Sequence, residues 1–266
     1  MSSDSVELTQ RIIEYAKTVD EWESTGADII KIIPAERYDN TPSYEVPFMD
    51  GTTKKTSDYM EGTKSIIVLG FHAWDDLCEA VTTKNGHLEA FGYTRMGYTA
   101  NKMRLFLEHL GYQAKLPGDF LPKKKLAVLA GIGNYGKNSL IISPKYGPWI
   151  RLAAILTDAE LEYDDAFTED LCGDCEECVK ACPTGALSPY RINPERCLVS
   201  PTSKGWVGIL EGTLSFEDCR NIDNGNQFFE EHSPVLTKNT RLMCMTCQLA
   251  CPYGREERGL TSFKDS

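Results

Sequence analysis

Apolar positions recur at helical spacing near the start of the chain. Leu8, Ile12, Ala16 and Val19 fall on one face and predict an amphipathic helix over 8–19 with its stripe in the core. A polar, turn-rich stretch follows to about Gly62. Then "KSIIVLGF", Lys64 to Phe71, is a continuous β-branched run of the kind a buried strand requires. In "ANKMRLFLEHLGY" the positions Met103, Phe106, Leu107 and Leu110 share a helical face, with Gly111 placed to end the helix. "KLAVLA" (125–130), "SLIIS" (139–143) and "RLAAILT" (151–157) read as further strands. This alternation predicts an α/β domain over 1–163. From Asp164 onward periodicity fades into short polar segments with Pro and Gly, which predicts a second module over 164–266 and an α+β chain overall.

Composition narrows the class. With 266 residues and 41 % hydrophobic content the chain can pack a core. No apolar run approaches the roughly 18 residues of a membrane span, and the first residues lack a basic, apolar and small-residue leader pattern, so a cytoplasmic protein is expected. Acidic residues outnumber basic ones by 39 to 28, which points away from a polyphosphate partner. The densest basic stretch, "KLPGDFLPKKK" (115–125), is short.

Nine of the ten cysteines lie between Cys172 and Cys251. In a reducing compartment they favour metal or redox chemistry over a disulfide framework. Cys172-x2-Cys175-x2-Cys178-x3-Cys182-Pro183 is the bacterial ferredoxin spacing, in which three cysteines wrap one cubane and the fourth ligates another. Cys244-x2-Cys247-x3-Cys251-Pro252 repeats the end of that pattern and needs one more cysteine. Cys197, after "INPER", is favoured for that place over Cys219, which sits in the charged "FEDCRN". The expected sets are Cys172, Cys175, Cys178 and Cys251 for one [4Fe-4S] cluster, and Cys182, Cys197, Cys244 and Cys247 for the other. Paired four-cysteine zinc sites are the competing reading. Zinc asks for neither a third cysteine two residues on nor a Cys-Pro closing each run. Cys78 and Cys219 are left as spare thiols.

"AGIGNYGKNS", 130–139, nearly spells two nucleotide fingerprints. Gly131-x4-Gly136-Lys137 reads as a Walker loop until Asn138 stands where Ser or Thr must reach magnesium. Gly131-x-Gly133-x2-Gly136 matches the dinucleotide pattern, but the following "KNSLIISPKYGPWI" offers no helix to face a pyrophosphate. A tight turn whose glycines supply positive φ is the simplest account of the loop alone.

Taken with the cysteines, "AGIGNYGKNSLIISPKYGPWIRLAAILTDAEL", "ERCL" around Cys197 and "CQLACP" around Cys247 resemble the epoxyqueuosine reductase family and, more distantly, cobalamin-dependent reductive dehalogenases. The resemblance runs from about Lys64 to Tyr253. It implies a cobalamin held by the N-terminal domain and fed by two [4Fe-4S] clusters, with Gly131, Gly133, Tyr135, Gly136, Lys137 and Asn138 in the corrinoid pocket. It also implies a proton-donating Asp in a D-x-x-P segment. Asp119-Phe120-Leu121-Pro122 offers that pattern nearer the loop than the family places it. The family's longer members add a tRNA-gripping helical segment after the clusters, which this sequence does not continue into.

The expected function is an iron-sulfur oxidoreductase whose clusters pass electrons to a bound cobalamin that reduces a small substrate. Asp119, Tyr98 or Tyr135 would donate a proton, and reduced ferredoxin or flavodoxin would donate electrons. tRNA and membrane partners are not expected. Two alternatives stay open: a corrinoid-free two-cluster electron-transfer protein docking to a redox partner, and an activator that reduces the corrinoid of a partner protein.

Overall fold

A computed structural model describes residues 3–19, 26–43, 51–84, 87–118, 121–199 and 233–260. Two compact units emerge, both discontinuous in sequence. The first comprises 1–72, 95–134 and 150–169, and the second 73–94, 135–149 and 170–266. The change at Glu169/Asp170 lies close to the composition shift, but 73–94 and 135–149 pack with the cysteine-rich part. No helix among the described residues is long and apolar enough to cross a membrane.

The first unit is built on a four-stranded sheet in the order Ile29–Pro34, Ser65–His72, Ile150–Thr157, Ala114–Lys115. The β-branched run lies at 65–72, paired on both sides and buried at every residue. Its neighbours are antiparallel, so the helix–strand alternation yields no parallel crossover among the described pairings. The helix Ser3–Thr18 presents Ile12 and Ala16, as its periodicity predicts, to Ile67, Leu69 and Ile155. Met103 and Leu107 close the core from the helix Phe91–His109, which begins nine residues before the sequence run that announces it and is followed by Gly111 at φ 92°. Each fully buried Leu or Ile here contributes about 1.5–3 kcal/mol of transfer free energy.

Two local expectations fail. "KLAVLA" is not a strand: residues 123–129 form a helix behind Pro122, burying Leu126 and Ala127. Lys, Leu and Ala are good helix formers, and a six-residue apolar run does not by itself distinguish helix from strand. The strand Ile29–Pro34 lies inside the stretch read as turn-rich.

In the second unit the order Val235–Thr237, Thr240–Leu242, Ala80–Lys84, His87–Ala90 makes another antiparallel sheet. The same unit holds the short helices Glu177–Ala181 and Thr246–Leu249, packed on each other, and the pair Leu187–Ser188/Arg191–Ile192. Its apolar centre is small. Trp149 is fully buried with Ala73 and Cys78, so Cys78 is a core thiol. The Arg258 guanidinium stacks 4.1 Å over the Trp149 ring and reaches Asp76 at 2.7 Å.

Candidate metal centre

The loop that carries the first cysteines is held at its start by a carboxylate. Asp170 Oδ1 accepts from the Cys172 N–H at 3.0 Å, and Oδ2 accepts from the Tyr190 hydroxyl at 2.7 Å. That phenol depresses the Asp170 pKa, and the carboxylate in turn holds Tyr190 up at about 12. Gly173 then turns at φ 43°, Cys175 N–H closes onto Cys172 O at 2.8 Å, and the helix Glu177–Ala181 carries Cys178. Cys251 arrives from the far end of the chain, its N–H on Gln248 O at 3.1 Å. Its position is fixed by a backbone-to-backbone approach just beyond it. A Cβ on Gly254 would stand 2.2 Å from Tyr146 O, and one on Gly147 would stand 2.1 Å from Tyr253 O. Both residues have positive φ, so glycine is required there twice over.

Cys172, Cys175, Cys178 and Cys251 border one concavity. Burial pushes Cys251 up to about 11, and Cys172, Cys178 and Cys175 add to it. The second expected set also converges. Burial drives the Cys247 thiol far up, reinforced by Cys244, Cys197, Cys178 and Cys182. Cys197 is thus an electrostatic neighbour of Cys247 in the second motif, while Cys219 lies outside the described residues. Cys182 behaves differently. Burial would raise it, but Thr184 Oγ1 at 3.7 Å and the Ala186 N–H at 3.3 Å, together with the N–H groups of Thr184 and Leu187, bring it below the ordinary thiol value. Thr246 Oγ1 stands 3.5 Å from Cys244 Sγ in the same i+2 relation. Among the described residues no three His, Cys, Asp or Glu side chains converge on a single-ion site.

The glycine loop follows a helix rather than a strand, so the dinucleotide pattern lacks its preceding element as well as its following one. Gly131 has φ 79°, and a Cβ there would lie 2.4 Å from Asp165 O. At Gly136 a Cβ would meet Ile142 Cγ1 at 2.6 Å and Asn138 Oδ1 at 2.9 Å. These two glycines make room for the protein's own atoms. Lys137 and Asn138 line the concavity of Cys172, Cys175, Cys178 and Cys251. Lys137 is buried, with Nζ 3.9 Å from Glu176 Oε1 and 5.9 Å from the centre of the Tyr190 ring. Asn138 Oδ1 accepts from the Leu140 N–H at 3.0 Å. Its Nδ2 is buried with no hydrogen-bond partner among the described residues, a deficit of about 1–3 kcal/mol if nothing meets it. Ser139 is held at φ 62°, a left-handed conformation that a residue with a side chain rarely adopts.

Of the other loop residues, Gly133 is buried and Tyr135 is 41 % exposed, its pKa raised by burial of the hydroxyl end. Tyr98 is exposed on its helix with Lys102 Nζ 5.6 Å from the ring centre. Asp119 lies outside the described residues. Asp170, Tyr190, Thr184 and Thr246 escaped the sequence reading. The repeated Cys-x-Thr of "CPT" and "CMT" is the signal that could have drawn attention to the two threonines.

Comparison with known proteins agrees with this picture. Residues 171–254 match the family model described as a 4Fe-4S double cluster binding domain. An epoxyqueuosine reductase of Listeria monocytogenes is 40 % identical over 131 residues, 49 % of this chain and 29 % of that protein. A tetrachloroethene reductive dehalogenase of Desulfitobacterium hafniense is 37 % identical over 134 residues, 47 % of this chain and 24 % of that one. The alignments span less than a third of the length of either relative. An epoxyqueuosine reductase solved with a modified tRNA-Tyr stem loop shares the fold, with TM-score 0.62 and 23 % identity over 94 % of this chain and 66 % of that one. A reductive dehalogenase whose structure suggested a B12-dependent mechanism gives TM-score 0.52 and 18 % identity over 74 % and 30 %. The sequence resemblance therefore holds: this is an α+β chain with the fold of epoxyqueuosine reductases and a double [4Fe-4S] cluster domain.

Proposed function

We propose that this chain is an iron-sulfur oxidoreductase in which two [4Fe-4S] clusters pass single electrons toward a bound corrinoid that reduces a small electrophilic substrate. The concavity bordered by Cys172, Cys175, Cys178 and Cys251, with Cys244, Cys197 and Cys182 as neighbours of Cys247, supports this reading. Cys251 of the second motif joins Cys172, Cys175 and Cys178, and Cys182 of the first joins Cys197, Cys244 and Cys247. Such an exchange is what two-cluster ferredoxin spacing calls for. Asp170 and Tyr190 order the first ligand loop. Thr184 and the Ala186 N–H favour the thiolate of Cys182, the form a metal takes. Burial of Cys251 keeps water from its sulfur.

The corrinoid fits only part of the loop. Gly131 and Gly136 are occupied by internal contacts and Lys137 and Asn138 by the thiol concavity, which leaves Gly133 and Tyr135 to meet it. When bound, a corrinoid supplies a metal that delivers electrons to an electrophilic centre. The chain's share is to bind it, exclude water and provide a proton from Tyr135, Tyr98 or Asp119. Reduced ferredoxin or flavodoxin suits the donor role. The partial fit favours a second reading, in which the chain carries electrons to a partner's corrinoid or another redox protein.

Anaerobic reconstitution with cobalamin, followed by cobalt and iron analysis, tests this. One cobalt with about eight irons is expected for the oxidoreductase. Eight irons without cobalt turns the assignment to the carrier, and an iron-free, zinc-loaded protein overturns both.

A further inference from the structure

The orphaned amide of Asn138 has a direction. A backbone N–H only donates, so the Leu140 N–H fixes the carbonyl oxygen of the Asn138 side chain toward itself, and the NH2 group faces the other way. The residue is 3 % exposed and borders the concavity of Cys172, Cys175, Cys178 and Cys251, where Nδ2 finds no acceptor among the described residues. Gly136 keeps this arrangement open, since a Cβ there would press on both Asn138 Oδ1 and Ile142. A buried donor of this kind needs an acceptor. Thiolate and sulfide sulfurs are acceptors, and the group they form becomes more negative when it takes an electron.

We propose that Asn138 tunes the potential of the cluster held by Cys172, Cys175, Cys178 and Cys251, its side-chain NH2 donating to a sulfur of that cluster. The inference rests on the two-cluster reading above and moves Asn138 from the corrinoid pocket to the cluster. A hydrogen bond to sulfur stabilises the more negative, reduced form and raises the reduction potential. The step it governs is the gain of one electron from a low-potential donor, with no bond made or broken. Asn138 acts here by positioning a dipole.

Potentiometric EPR titration of the reconstituted protein tests this. Asn138→Ser removes the NH2 without adding charge and retains an oxygen in place of the carbonyl. The reduced fraction of one cluster at a fixed potential should fall about tenfold, a shift of about 59 mV for a one-electron couple, while the other cluster stays where it was. Should Asn138→Ser not assemble both clusters, Asn138→Asp, which keeps the oxygen facing Leu140 N–H, makes the same comparison and should shift further. A variant with eight irons and an unmoved potential overturns this inference alone. A wild-type protein without iron and sulfide overturns the two-cluster reading and this one with it.

Discussion

Tyr190 Oη donates a 2.7 Å hydrogen bond to Asp170 Oδ2 while the other oxygen of the same carboxylate caps the Cys172 N–H. One side chain thus ties the segment after the first motif to the residue that opens it. Tyr190 itself sits at φ 63°, which places its ring where it does at some backbone cost.

The pH dependence of this pair has a definite sign. Tyr190 is raised to about 12 from 10.0, so its contribution is full below about 10 and lost as pH climbs through about 12. Asp170 is depressed, so its contribution is present above the ordinary carboxylate value and lost as pH falls through the lower one. Both side chains are exposed enough for the effect on global stability to be small. The readout is therefore spectroscopic: a difference titration of phenolate absorbance between wild type and Tyr190→Phe should show one tyrosine ionising near 12. A missing component near 10 instead would show that the bond does not form.

The ligand sets predict different outcomes for two cysteines that look alike in sequence. Cys197→Ser should lower the iron content from about eight to about four per chain, whereas Cys219→Ser leaves about eight. Iron and acid-labile sulfide analysis after anaerobic reconstitution reads this directly. The reverse pattern would give the eighth position to Cys219.

Two glycines of the loop should respond differently to substitution. Gly131→Ala forces a side chain into φ 79° and against Asp165 O, a cost of at least about 1–2 kcal/mol from the backbone conformation alone. It should lower the denaturation midpoint of the cofactor-free protein. Under the corrinoid reading, Gly133→Val weakens cobalamin binding with both clusters retained. Unchanged stability in Gly131→Ala would show that this glycine serves a ligand instead.

How far the sequence spoke can be judged from these same segments. The helix carrying Ile12 and Ala16 and the strands at 65–72 and 150–157 were legible because each repeats one hydrophobic signal over several residues. Ile29–Pro34 is short and ends on a proline, and 123–129 is an apolar run that fits either element. The double-cluster domain was legible because cluster ligation constrains cysteine spacing along a single loop. The roles of Lys137 and Asn138 were not. The concavity they line is assembled from segments around 137–142, 171–178 and 251–253, and no local spacing records that meeting.

The last prediction concerns tRNA, on which a structural relative is seen with a stem loop. Holding such a ligand requires Lys and Arg to neutralise several phosphates, and binding then weakens steeply with salt. In this chain acidic residues exceed basic ones by 39 to 28. Its densest basic run, Lys123 to Lys125, forms the first turn of a seven-residue helix, where Lys123 Nζ already bonds Gly118 O at 3.1 Å. A mobility-shift assay across a salt series should therefore detect no salt-dependent tRNA binding, and expression in cells lacking their own reductase should not restore queuosine. Tight, salt-sensitive binding that disappears when Lys123, Lys124 and Lys125 are changed to Ala would overturn the small-substrate reading. That helix would then be the place where the nucleic acid is held.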